Sequence, residues 1–165
     1  MKYFLTLLTF LGFTTFGFSQ TKTAHINYSQ LVLLMPETKA ASTTLENFTK
    51  NYKGELAKLE SAYKTKVEAF KKEEPTLLPA IKELRQKEIT DLEVSYNKLN
   101  EAAKKEINDK DNALFVPIFE KAKNAVMAIV KEKGYDYVID SSKGQYVYMN
   151  PKDNILELVK KKLGL

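Results

Sequence analysis

The stretch KKEEPTLLP, residues 71–79, decides how this 165-residue chain folds. It holds two of the five prolines and lies between two long helical patterns. Pro75 has no amide proton and clashes with a continuing helix, so it stops the first. Pro79 suits the opening turn of the second, where its missing donor costs nothing. The reading is a tight turn between two helices, with Leu77 and Leu78 at its tip.

The flanking patterns support this. Before the turn, Leu45, Phe48, Tyr52, Leu56, Leu59, Tyr63, Val67 and Phe70 recur at spacings of three and four. Leu45, Leu56 and Val67 are 11 residues apart, and so are Tyr52 and Tyr63. After the turn the expected stripe is Ile81, Leu84, Ile89, Leu92, Tyr96, Leu99, Ala103, Ile107, Leu114 and Ile118. Ile81, Leu92, Ala103 and Leu114 again lie 11 apart. An 11-residue repeat averages about 3.67 residues per turn and gives a nearly straight seam. Two helices of the same period, joined by a short turn, should form an antiparallel hairpin. At about 1.5 Å per residue, some 35 residues a side make an arm of roughly 50 Å. Gly54 lies inside the first helix, where close approach of a partner helix is the expected reason for it.

Charge fits a solvated coil. Residues 37–114 carry 15 basic and 15 acidic side chains, so the arm is neutral. Residues 37–72 have eight basic and five acidic groups, and 73–114 have seven and ten. Opposite signs suit side-by-side packing, and the neutral total argues against a nucleic-acid surface. Residues 115–165 carry nine basic and six acidic groups, a weak pointer to membrane-surface contact.

Outside the arm the patterns change. Residues 22–29, KTAHINYS, alternate as a strand, with Ser29 the expected cap of a short helix that Pro36 ends or redirects. Beyond Pro117, expected to kink its helix, the helical pattern runs to a Gly134 C-cap. Residues 135–140 read as a strand, 141–144 as a hairpin turn and 145–149 as the returning strand. Asp153 is expected to cap a last helix bearing Ile155, Leu158, Val159 and Leu163. The organisation is mostly α, of α+β class: a helical hairpin, 37–114, inserted in a small body of 20–36 and 115–165. A body of some 65 residues has a marginal core, and three strands leave open edges. Several copies completing one sheet would solve both, so an obligate oligomer is expected. Ile26, Tyr137, Val138, Ile139, Val147 and Leu158 are its candidate contact residues.

Residues 1–19 read as a secretory signal peptide: a basic start, a short apolar run and small residues before the cut. Cleavage after Ser19 leaves a 146-residue chain without cysteine, hence without disulfides. Nothing points to catalysis. There is one histidine, His25, on an expected strand, and no cluster of metal ligands. The six glycines form no phosphate-binding motif, so no cofactor is expected. Asp136 and Asp140 flank a strand and are expected to face solvent near a hairpin end. Tyr52, Tyr63 and Tyr96 lie on the arm seam. Their first expected role is packing and their second is contact with a client, together with Leu77 and Leu78.

Three segments carry a resemblance: AHINYSQLVLLMPE at 24–37, VPIFEKAKNAVMAIVKEKGYDYVIDSS at 116–142 and NPKDNILELVKKKLG at 150–164. With the charged hairpin between them, the chain resembles the Skp/OmpH family of periplasmic chaperones. The resemblance implies a homotrimer, with a β-rich body holding three hairpins around a cavity. There unfolded outer-membrane proteins are held without ATP. Family arms are often strongly basic; this one is neutral, which speaks against electrostatic capture as the main mechanism and against lipopolysaccharide binding. The alternative reading is an exported coiled-coil adaptor that binds a folded envelope partner.

Overall fold

The computed structural model describes residues 21–144 and 146–165. The chain enters through β1 (Thr23–Ile26) and a short α1 (Tyr28–Leu34), then rises along α2 (Pro36–Glu73), 38 residues long. A 3-10 turn at Glu74–Thr76 reverses it, and α3 (Pro79–Lys133) descends for 55 residues. Then come β2 (Tyr137–Asp140), 3-10 turns at Ser141–Lys143 and Pro151–Asp153, and α4 (Leu156–Leu163). The architecture is the expected one: a helical hairpin rooted in a small α+β body. The proline turn closes as the sequence indicates. α2 ends just before the Pro75 turn and α3 starts with Pro79 at its first position. Gly134 ends α3 in the left-handed conformation, φ 65°, which suits glycine. Pro36, which the sequence left as an end or a bend, opens α2. α3 runs on through Pro117, whose missing N–H leaves the Ala113 carbonyl without its helix donor.

β1 and β2 pair in parallel, with Thr23 opposite Tyr137 and Ile26 opposite Asp140. Parallel strands need a long crossover, and here the whole hairpin supplies it. The core lies in the body. Ala24, Ile26, Leu31, Met35, Ile155 and Val159 pack on Ile118, Ala122, Ala125 and Ile129 of α3. Ala122 and Ala125 are small enough to let the short helices approach. In the arm, among the described residues, only Ile89 and Ala103 are buried apart from the Thr38–Ala41 root. The arm is held by one thin seam of half-buried side chains.

Several expectations need correction. Residues 146–149 form no strand, and 141–143 are a 3-10 turn, so the expected β-hairpin is absent from the described residues. Instead Asn154 bridges His25 on the free side of β1. The N-cap of α1 is Asn27, whose side chain accepts the Gln30 N–H; Ser29 lies inside the helix. Ahead of α4 the accepting side chain is Asn154, bonded to the Leu156 N–H at 2.9 Å, and not Asp153. Leu158 faces out while Leu156 faces in. A methyl group on Gly54 would meet nothing within 4 Å, so no close approach within the protomer explains this glycine. Ile81 and Leu84, expected on the seam, are 41% and 52% exposed. The step from Leu84 to Ile89 is five residues, which leaves Leu84 roughly 140° from the seam at about 100° per residue. Arg85 and Glu88 occupy those seam positions, and Glu88 pairs with Lys66 across the hairpin at 2.6 Å. The signal-peptide reading lies outside the described residues, as does Gln145.

Candidate functional site

Two surfaces stand out: the flank and tip of the arm, and the open edge of the body. On the arm, Phe48 and Tyr52 meet edge to face, with ring centroids 5.4 Å apart. The Tyr52 hydroxyl donates to the Glu106 carboxylate on the facing helix, a bond that raises the phenol above its ordinary pKa. Tyr52 is therefore tied into the hairpin. Below it, Leu45 and Leu56 face Ala103 and Ile107 along a cleft of about 520 Å³. Further up, Tyr63 and Tyr96 line a second cleft of about 330 Å³ with Glu60, Glu93 and Asn97. The tyrosines of the sequence reading thus sit at the seam, half-buried, with rings reaching open clefts.

At the tip, Leu77 is half-buried while Leu78 is 71% exposed. Ile81 and Leu84 extend this apolar surface along α3, and a seam count of five between Leu84 and Ile89 was the signal that would have found them. Lys82 and Glu74 bridge the turn at 2.6 Å, and the Thr76 hydroxyl donates to the Glu73 carbonyl. The tip is therefore a closed turn presenting leucines, not a loose loop.

On the body, the sequence-derived contact residues divide. Ile26 is buried in the protomer's own core, and Val138 and Ile139 are half-buried. Tyr137, Val147 and Leu158 are exposed, Val147 fully so, and Tyr146 and Tyr148 join them. β2 pairs with β1 along one edge, and among the described residues no strand covers its other edge. The body thus carries an uncovered strand edge and several exposed large apolar side chains.

The polar residues of the body bind its parts together. The Asp136 carboxylate accepts the Lys22 N–H at 2.7 Å, and Lys22 Nζ caps the Lys133 carbonyl at 2.6 Å. Asp140 accepts the N–H groups of Tyr28 and Ser142 at 3.2 and 2.9 Å. Burial pushes the Asp140 carboxyl up, but the bonds from Ser142 and Tyr28, with Lys143 nearby, hold it below its ordinary pKa. The Tyr28 hydroxyl donates to the Phe119 carbonyl at 2.6 Å, and burial with the Glu120 charge raises its pKa. Both aspartates thus anchor the backbone: Asp136 does so while exposed, as expected, and Asp140 is half-buried. His25 Nε2 lies 3.0 Å from the Asn150 carbonyl and so carries the proton, while Nδ1 is buried without a partner among the described residues. Among the described residues no three His, Cys, Asp or Glu groups converge to hold a metal, and no helix is long and apolar enough to cross a membrane.

Comparison with known proteins places this architecture. Residues 22–163 match the model of the family described as outer membrane protein (OmpH-like). A chaperone protein Skp of Photorhabdus luminescens is 23% identical over 136 residues, 82% of each chain. One from Vibrio cholerae is 26% identical over 143 residues, covering 84% of this chain and 80% of that one. Among solved structures, a putative outer membrane chaperone (OmpH-like) from Caulobacter crescentus superposes with a TM-score of 0.70. It shares 13% identity and covers 86% of this chain and 83% of its own. The overall fold is thus shared with that structure, and the chain belongs to the OmpH-like family, whose relatives here carry the name of a chaperone.

Proposed function

We propose that this protein is an exported, ATP-independent holdase of the periplasm that keeps unfolded outer-membrane proteins from aggregating. Three copies join through the body, and the client lies among their arms. The observation that carries the reading is the arm itself: a hairpin of 38 residues on its first side with almost no buried core, lined by tyrosines and tipped by leucines. Such an element adds little to the stability of the body, yet it projects weakly sticky surface far from it. The family membership and the relatives' chaperone names support the same reading.

The physical basis is summation. One arm offers shallow clefts, each a weak contact. Arms joined at a common base raise the effective concentration of the second and third contacts once the first has formed. Retention then needs no strong site, and release needs no hydrolysis. The exposed edge of β2 with Tyr137, Tyr146, Val147 and Tyr148 supports assembly through the body, because open edges and apolar patches of this kind are costly to leave in water.

The test is dilution of a urea-unfolded β-barrel membrane protein into buffer with the chain 20–165 and no nucleotide. Light scattering should stay low at one trimer per client, and folded forms of the same client should not bind. Undiminished aggregation at that ratio contradicts the proposal. Binding of a single folded envelope protein, with no protection of unfolded ones, identifies an adaptor instead.

A further inference from the structure

The ties that cross the arm are unevenly placed. Toward the body, the Tyr52 hydroxyl donates to Glu106, Lys110 Nζ stands 5.9 Å from the centre of the Phe48 ring, and Ala103 is buried. Toward the tip, Lys66 pairs with Glu88 at 2.6 Å, and Ile89 beside it is buried. Between these two levels, among the described residues, the hydrogen bonds and ion pairs of the side chains stay within one helix or the other. None of residues 53–65 or 90–102 is buried. Leu59, Tyr63, Leu92, Tyr96 and Leu99 make the seam there, each only half-buried. Two open clefts lie along the same stretch, of about 740 Å³ beside Gly54 and Leu99 and about 330 Å³ at Tyr63 and Tyr96. Gly54, Asn97 and Asn100 add weak helix formers to both sides of it.

We propose that the arm is clasped at these two levels and that the stretch between them opens locally, a window through which the apolar seam reaches an unfolded chain. A helix pair this thin is held by the apolar area it buries and by the contacts that cross it, and the window has the least of both. Its seam side chains are already half in water, so parting the helices there gives up little burial. The clasps on either side keep the two helices in register while the middle separates. Fraying from the tip is opposed by the Lys82–Glu74 pair that closes the turn. The freed surface is aliphatic and aromatic, which suits an extended apolar segment rather than a folded, polar-surfaced protein. This inference rests on the holdase reading for what enters the window, and on the arm alone for the opening itself. It places the client's main contact in the middle of the arm and not at Leu77 and Leu78.

Amide hydrogen exchange of the chain 20–165, followed by mass spectrometry, reads each level of the arm separately. Residues 53–65 and 90–102 should exchange about 10-fold faster than 45–52 and 103–110 on one side and 66–70 and 85–89 on the other. Y52F keeps the ring and removes the donor. In that variant the fast zone should spread toward the body, with exchange at 45–52 rising about 3- to 5-fold while 66–70 stays the same. Circular dichroism checks that the variant keeps its helicity. Adding a urea-unfolded β-barrel protein should slow exchange in the window more than at the tip. Protection that is even along the arm, or that falls steadily from body to tip, overturns the proposal. So does a Y52F profile identical to wild type, or a bound client that slows the tip and leaves the window unchanged. If the window opens as described but unfolded clients still aggregate in the scattering assay, the holdase reading falls and the local opening stands.

Discussion

Asp140 shows how much of the body hangs on single residues. Its carboxylate accepts from Tyr28 at the start of α1 and from Ser142 after β2, joining segments separated by the whole arm. Asp140→Ala should destabilise the protein by roughly 1–3 kcal/mol, since two amide donors lose a charged acceptor. The folded carboxyl lies below its ordinary pKa. Its contribution is therefore complete above about pH 3.9, the ordinary value, and is lost as pH falls through the lower folded value. Urea unfolding of wild type and variant should show a gap at neutral pH that narrows in strong acid; a constant gap contradicts this role. The sequence marked Asp140 by position but not by partner. Tyr28 is 112 residues away, and no local pattern reports a contact over that distance. Asn27 was missed for a different reason: Asn and Ser are comparable caps, and the choice depends on where the strand lets go.

At the scale of elements, the hairpin was legible because its signals are local. The prolines, the glycine after α3 and the 11-residue spacing act through backbone and periodicity, and the folded chain keeps them. The upper part of α3 departed where the spacing departed, at the five-residue step from Leu84 to Ile89. The expected third strand is not formed by residues 146–149, because alternation in 145–149 shows only that the chain can extend, while a ladder needs a neighbour. Gly54 makes the arm's own test. It is helical, its φ is not positive, and a methyl group there meets nothing within 4 Å. Gly54→Ala should therefore stabilise α2 by about 0.5–1 kcal/mol. Hydrogen exchange in the middle of α2 should slow by roughly 2- to 5-fold. Unchanged or faster exchange would mean that the glycine serves a contact made only in an assembly.

For the whole molecule, the division of labour is clear from where burial falls. The body holds the core, and the arm is nearly all surface. The clefts at Tyr52, Tyr63 and Tyr96 could be anticipated only as seam positions, since periodicity reports spacing but not the depth left between two helices. Assembly should depend on the exposed edge. Tyr137→Glu with Val147→Glu puts charge on side chains that touch nothing decisive in the protomer, 65% and fully exposed. The double variant should keep its helicity and lose its oligomer, visible as a fall in mass by light scattering. An unchanged mass would place the joint between copies elsewhere.

The most direct test is sedimentation of the chain 20–165 mixed with an unfolded β-barrel client. A soluble complex of one client with three protomers is the predicted result. A client that pellets, leaving the protein as a lone protomer in the supernatant, would contradict the account.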